Sequence, residues 1–246
     1  MWEELPSVFA DMADRIDLNA DVGEECGQDI PLMQCITSAN IACGAHAGNR
    51  AVMQETVLLA RDFGVSIGAH PGYEDRENFG RKAVQLSMEK ITDLIKKQVT
   101  LLAEVAMHAG ICLRHVKPHG ALYNVAVKNR DIADAIVKGV ASVDRNLIVL
   151  GLPGSELVAA AEAGGLRAAR EAFADRAYRD DGTLVPRSES GAIIHDPTEV
   201  LTRVVPMARR SDIDTICVHG DTPGAAQLAS RIRAALEAAH LHVRSF

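Results

Sequence analysis

Five of the nine histidines in this chain fall in short segments that contain glycine or proline and are rich in other ionisable and amide side chains. These segments read DLNAD (Asp17 to Asp21), SANIACGAHAG (Ser38 to Gly48), GAHPG (Gly68 to Gly72), HVKPHGALYN (His115 to Asn124), EAFADR (Glu171 to Arg176) and VHGD (Val218 to Asp221). If they meet in one pocket, they supply carboxylates, imidazoles, amides and a lysine. Such a set provides a general base, a proton donor and a stabiliser of developing negative charge.

The spacing within each segment narrows the candidates. Asp17, Asn19 and Asp21 alternate with Leu18 and Ala20, so on a strand the three polar side chains share one side. Pointing inward, they join the pocket; otherwise Asp17 pairs with a neighbouring arginine and Asp21 caps the next turn. His115, Lys117 and His119 alternate in the same way, and Pro118 and Gly120 break the strand so that the last of them lie at its rim. Lys117 is the sharpest single candidate, because a lysine there must snorkel, pair with a carboxylate or bind an anion. Glu171, Asp175 and Arg176 read either as a solvated charge run or, with Phe173 between them, as a tightly packed turn. His219 is a better candidate than Asp221, which equally suits the N-terminal cap of a following helix. A histidine such as His46 or His70, taken alone, is as readily a hydrogen-bonded core residue. Ionisable groups recurring at six strand ends favour a common cavity, since unpaired buried charges cost several kcal/mol. His108, His195, His240 and His242 have no comparable setting.

Short apolar runs alternate with longer segments of helical periodicity, the pattern of repeated β-α units and a parallel sheet. The expected strands are 15–20, 36–42, 65–69, 112–117, 147–151, 166–171, 191–194 and 214–218. Ile91, Leu94, Ile95, Gln98, Leu102 and Val105 mark a helix, with Ser87 as its N-cap and Gly110 as its stop. Asp196-Pro197-Thr198-Glu199 opens another, and Thr222-Pro223 opens the last. Seven or eight parallel strands suit an α/β fold of the (β/α) barrel type, whose strand ends open on one face; a doubly wound open sheet is the alternative, without the GxGxxG turn of dinucleotide folds. Residues 15–246 read as one barrel domain, preceded by an extension over 1–14 in which Leu5, Val8, Phe9 and Met12 follow helical spacing.

Composition limits the partners. Against 33 Asp+Glu there are 26 Lys+Arg, a formal charge of −7 over 246 residues, and the densest basic stretch is only Arg209-Arg210. Nucleic-acid binding is not expected. No apolar run approaches the roughly 18 residues that span a bilayer, and the N-terminus is acidic, so a cytoplasmic protein without membrane attachment is expected. The five cysteines, Cys26, Cys35, Cys43, Cys112 and Cys217, form no CxxC pair and suggest neither a disulfide framework nor a thiolate metal site.

In order along the chain, DLNAD-x-GE, SANIACG-x-HAG, GAHPG, FGR, KPHGALYN, EAFADR-x-Y and HGD resemble the LamB/YcsF family. The likeness runs from Asp17 to about Asp221. It departs where Asn49 stands in place of the usual Asp after HAG, where EDRENFGR replaces PD-x-x-GFGR, and in Gly-Glu-Glu-Cys at 23–26. The resemblance implies a distorted seven-stranded (β/α) barrel of the glycoside hydrolase/deacetylase type. It also implies the hydrolytic component of a prokaryotic ATP-dependent 5-oxoprolinase, which opens the lactam of 5-oxo-L-proline to L-glutamate together with two further subunits. Association of the chain with itself is left open.

That activity gives the candidates roles. Asp21, His46 or His70 would be the general base, and Lys117 and His119 would stabilise the developing charge. Asp17, Asn19, Asn40, Tyr123, Glu171, Asp175, Arg176, His219 and Asp221 would bind substrate, with Glu171 or Asp175 orienting the ring. ATP would activate the amide by phosphorylating its oxygen, and the phosphate would suit Lys117 and Arg176. The chain has no GxxxxGK[ST], so ATP is expected to bind with the partner subunits. Two other readings stand beside this one. Asp21, His46 and His70 could hold a divalent metal as in related deacetylases, although Val22 replaces the second Asp of their NADDFG segment. Alternatively, the chain binds the lactam and its partners perform all the chemistry.

Overall fold

The computed structural model describes residues 14–246. It runs β1 (Arg15–Val22), α1 (Asp29–Met33), β2 (Ser38–Ala42), α2 (Arg50–Phe63), β3 (Ser66–His70), α3 (Met88–His108), β4 (Leu113–Val116), α4 (Gly120–Ala126), α5 (Arg130–Ala141), β5 (Ile148–Gly151), α6 (Glu156–Ala163), β6 (Ala168–Phe173), α7 (Pro197–Ala208), β7 (Thr215–Val218), α8 (Ala225–Ala238) and β8 (His242–Val243). Strands β1 to β7 pair in parallel, each with the next, and β1 pairs with both β2 and β7. The sheet therefore closes into a seven-stranded (β/α) barrel, which excludes the open sheet. The extension expected over 1–14 lies, except for Asp14, outside the described residues.

Two expectations about the elements are corrected. Residues 191–194 form no barrel strand; Ile193 makes an isolated antiparallel bridge to Arg176 inside the excursion between β6 and α7. That short apolar stretch finds its backbone partners locally, as in the Ile194 N–H to Asp175 C=O bond, so the barrel closes without it. The eighth strand is instead β8, two residues that pair with Arg15 and Ile16 at the start of β1. The last helix begins at Ala225 instead of Thr222-Pro223, because Gly224 adopts a left-handed φ of 81° and the Ala225 N–H closes a turn on the Thr222 carbonyl.

The other helices obey their sequence. Ser87 caps α3 by accepting from the Lys90 N–H at 3.4 Å, and Asp196 caps α7 by accepting from the Thr198 N–H at 2.8 Å. Ile91, Ile95, Val99, Leu102 and Val105 form the buried face of α3, each contributing roughly 1.5–3 kcal/mol through burial. Gln98 lies on that same apolar face for a different reason. Its amide donates to the Gly72 C=O at 2.8 Å and accepts from the Gly72 N–H at 3.1 Å, which fixes the GAHPG segment just beyond β3.

Along β1 the two-residue alternation separates two environments. Ile16, Leu18, Ala20 and Val22 pack in the apolar core between strands and helices, while Asp17, Asn19 and Asp21 hydrogen-bond within the barrel interior. Deepest is Asp17, which accepts hydrogen bonds from Thr37 Oγ1 at 2.7 Å, Ser38 Oγ at 2.6 Å and Thr215 Oγ1. Burial nevertheless outweighs these three hydroxyls and pushes its carboxyl up to about 6. Higher up, Gly68 of β3 leaves room for the His115 ring: a Cβ at position 68 would lie 2.1 Å from His115 Cδ2.

Two outcomes follow. Asp17 binds its proton more tightly folded than unfolded, so its stabilisation is complete below about pH 4 and is lost as pH rises through about 6. Urea unfolding of wild type and Asp17→Asn should therefore diverge by about 3 kcal/mol between pH 4 and pH 8, with the wild type losing ground at the higher pH; parallel profiles would contradict this. Gly68→Ala should lower unfolding free energy by about 1–3 kcal/mol by forcing the His115 ring aside.

Candidate active site

At the C-terminal end of the strands lies a cavity of about 420 Å3. Asp21, His70, Lys117, His119, His219 and Asp221 all line it, as do Tyr123 and Arg176. The loops after β1 and β3 and the long excursion after β6 complete its walls with Glu24, Arg81, Leu184 and Arg187.

Lys117 occupies the floor and is only 2% exposed. Its ammonium lies 2.9 Å from Glu171 Oε1, 3.0 Å from Asp21 Oδ1 and 3.0 Å from Cys217 Sγ. Burial works against the charge, but Asp21, Cys217 and Glu171 outweigh it and hold Lys117 well above its ordinary range. Burial raises the Asp21 carboxyl, but His70, whose Nε2 lies 3.5 Å from Asp21 Oδ2, and then Lys117 overcome it and hold the group well below the usual carboxylate range. Two amides extend the network. Asn40 donates to Asn19 Oδ1 at 2.7 Å and to Asp21 Oδ1 at 2.9 Å, while its own oxygen faces His115 Nε2 at 2.8 Å. Asn19 donates to Glu171 Oε1 at 3.0 Å and to Thr215 Oγ1 at 2.7 Å.

A second group gathers beside Asp21. Glu24 Oε1 lies 3.1 Å from His46 Nε2, 3.5 Å from His119 Nδ1 and 3.9 Å from His70 Nε2. His70 Nδ1 faces the Lys117 carbonyl at 2.7 Å and His119 Nε2 faces the Phe79 carbonyl at 2.8 Å. Carbonyls only accept, so both of those nitrogens carry hydrogens. The remaining nitrogens, His70 Nε2 and His119 Nδ1, confront each other at 2.9 Å. Two imidazole lone pairs repel at that distance, so either a proton or a cation must lie between them. Burial lowers the basicity of His46 to about 2 and holds His119 well below its usual value; at His70 the opposing charge of Asp21 overcomes burial and raises it. Burial and the nearby Asp21 charge push Glu24 up to about 7.

On the opposite wall, His219 Nδ1 faces the Asp175 carboxylate at 3.0 and 3.1 Å, and its ring stacks on Phe173 with centroids 5.1 Å apart. Asp175 is buried, yet the His219 contact keeps its carboxyl below the ordinary value. At the mouth, Asp221 bonds Arg81 and, at 3.3 Å, Arg187. These two cations lower its carboxyl against the effect of burial.

The structure thus brings every candidate segment to one end of the barrel but seats the residues at different depths. Asp17, Asn19, Asn40 and Glu171 lie beneath the cavity and touch other protein groups, so the substrate contacts expected of them are replaced by a supporting network. His46 and Asp175 stand behind the wall, holding Glu24 and His219. Arg176 borders the cavity, but its guanidinium donates to the carbonyls of Ala192 at 3.1 Å and Val185 at 2.6 Å, fastening the excursion after β6 instead of offering a phosphate site. Asp221 does not cap α8. Asn49 caps α2 by accepting from the Ala51 and Val52 N–H groups, so its carboxamide needs no charge. Glu24, Arg81 and Arg187 were not anticipated. Glu24 and Arg81 end the DLNAD-x-GE and FGR segments, which was the signal available; Arg187 has none, because its place depends on how the excursion folds back.

Among the described residues, two groups of side chains approach metal-ligand geometry. The ligand atoms of Glu24, His46, His70 and His119 lie within 4.8 Å of one another, as do those of Asp21, Cys217 and His219. In the second group the Lys117 ammonium already contacts both Asp21 and Cys217, taking the place of a cation. Of the trio Asp21, His46 and His70, Asp21 keeps its Oδ2 3.5 Å from His70 Nε2 while its Oδ1 meets Lys117, and His46 turns its Nε2 to Glu24.

Residues 16–246 match the LamB/YcsF family. A 5-oxoprolinase subunit from Rhodopseudomonas palustris (strain BisB18) is 47% identical, across 94% of this chain and 98% of that protein. A lactam utilization protein from Thermus thermophilus, known from its crystal structure, is 38% identical with a TM-score of 0.88, across 94% of this chain and 100% of that one. The catalytic domain of a peptidoglycan N-acetylglucosamine deacetylase from Eubacterium rectale ATCC 33656 shares the fold alone, with a TM-score of 0.53 at 11% identity across 95% of this chain and 88% of that one. With nearly its whole described length matched and its strand-end segments gathered around one cavity, this chain belongs to the LamB/YcsF family.

Proposed function

We propose that this chain is the lactam-hydrolysing component of an ATP-dependent 5-oxoprolinase, converting 5-oxo-L-proline to L-glutamate in a complex with partner subunits. The observation that carries the reading is a cavity combining a permanently charged lysine floor, an oriented His219-Asp175 pair and two arginines at the mouth. Relatives named as 5-oxoprolinase subunits support the substrate, and the word subunit supports partners.

The geometry supports these roles. Arg81 and Arg187 attract the ring carboxylate at the mouth. The three N–H donors of Lys117 already meet Asp21, Glu171 and Cys217, so it acts on the substrate through the field of its charge rather than by a donated bond. Asp21, held ionised by His70 and Lys117, is a weak base and serves to fix the lysine charge. His219 is the better proton carrier, since Asp175 holds its Nδ1–H and leaves the other nitrogen to the cavity. ATP, bound with a partner, phosphorylates the amide oxygen and releases ADP. Water then adds to the activated carbon and gives its proton to His219. The carbon-nitrogen bond breaks as His219 returns the proton to the nitrogen, leaving the side-chain acyl phosphate of glutamate, and a second water cleaves that mixed anhydride to release phosphate and the free carboxylate.

Glutamate release from 5-oxo-L-proline and ATP, measured with and without the partner subunits, tests the assignment. The chain alone should be inactive; ATP-dependent turnover by it would overturn the partner requirement. In the complex, His219→Gln should lower kcat by about 10²–10⁴-fold with little change in KM. A complex that loses only affinity would identify a binding module. Asp175→Asn, which acts through His219, should lower kcat less and displace the pH profile.

A further inference from the structure

The confrontation of His70 and His119 beside Glu24 has a simple resolution. We infer that Glu24 Oε1, His70 Nε2 and His119 Nδ1 form a binding site for one divalent transition-metal ion of the zinc class, with a further coordination position open to the cavity.

Three observations carry this. The first is distance. The pairs His70-His119, His119-Glu24 and His70-Glu24 are separated by 2.9, 3.5 and 3.9 Å. Ligands at about 2.0–2.2 Å from a tetrahedral ion stand about 3.4 Å apart, within this range. The second is orientation. Each imidazole is anchored through its other ring nitrogen to a backbone carbonyl, Lys117 for His70 and Phe79 for His119, which fixes the tautomer and leaves the second nitrogen facing the shared point, where Asp21 Oδ2, 3.5 Å from His70 Nε2, sets a second carboxylate beside the ion. The third is access. Glu24, His70 and His119 line the cavity, whereas His46 does not.

His46 is the supporting member. Its Nε2 lies 3.1 Å from Glu24 Oε1, and its ring stacks on His119 with centroids 3.7 Å apart and planes 1° apart. It thereby holds both the carboxylate and one imidazole in place. Phe79 meets the edges of the His46 and His119 rings at 5.7 and 5.5 Å and closes the far side with an apolar wall. Two imidazoles and a carboxylate with an open position suit Zn²⁺, Co²⁺ or Mn²⁺ better than Mg²⁺ or Ca²⁺, which prefer all-oxygen sets. The site does not depend on the identity of the lactam or on the partner subunits, so it can be tested apart from the proposed reaction.

The experiment uses the full chain stripped with a chelator and dialysed against ZnCl2 or CoCl2. Metal analysis should give one ion per chain, and Co²⁺ should produce visible d–d absorption of a low-coordinate site. Zn²⁺ should raise the melting temperature of wild type. Glu24→Gln, His70→Gln and His119→Gln should each weaken binding at least 100-fold, and His46→Gln by about 10–100-fold. His108→Gln, on the exposed end of α3, should have no effect. If a variant fails to fold, anomalous diffraction at the zinc edge of the wild type locates the ion. An ion placed elsewhere, or no stoichiometric binding, means that a proton alone bridges the two histidines and overturns the inference.

Discussion

A single buried ammonium organises the interior of this barrel. Lys117 sits at the floor of the cavity between Asp21 and Glu171, where a lone charge of either sign would cost several kcal/mol. One cation therefore makes two carboxylates tolerable, and they in turn keep it charged. Asn19 and Asn40 add hydrogen bonds to Glu171 Oε1 and Asp21 Oδ1, linking β1 to β2 and β6 through side chains rather than backbone. Truncating any member would leave buried partners unsatisfied, so the network holds the floor in one arrangement.

Around that floor the barrel imposes a division of labour by depth. Asp17 is the deepest acid and is satisfied by hydroxyls, whereas Asp21, two turns of the pleat nearer the strand ends, meets a cation. At the rim the charges become pairs that solvent can reach, as where Arg81 and Arg187 share Asp221. The apolar core lies outside the ring of strands, where α3 packs its stripe of isoleucine, valine and leucine. Since that shell supplies the cohesion, the barrel interior is free to be polar.

The histidines follow the same logic. His115 is buried against Asn40, and burial with the nearby Lys117 charge lowers it to about 3, so it is a structural neutral ring. His219 is turned by Asp175, and His70 and His119 are turned by carbonyls. Each ring is oriented by an acceptor outside the cavity, leaving its free nitrogen directed to a position chosen by the backbone.

The sequence alone determined the seven barrel strands and the end of the barrel where chemistry collects. The two-residue alternation in DLNAD separates core-facing from interior-facing side chains, and the caps Ser87 and Asp196 mark their helices, because these effects operate over a few bonds. The apolar stretch at 191–194 misled for a complementary reason: a strand needs a partner, and its partner proved to be Arg176 in the same excursion. Tertiary structure alone decided which polar residues face the cavity and which lie beneath it. Asn40, Glu171 and His46 carry the same side chains as true wall residues, and only the register of β2 and β6 against β1 and the packing of His46 on His119 set them behind it. Arg187 joined the site through an excursion whose course depends on distant contacts. Pairing across a closed barrel is a long-range property, and no local spacing encodes it.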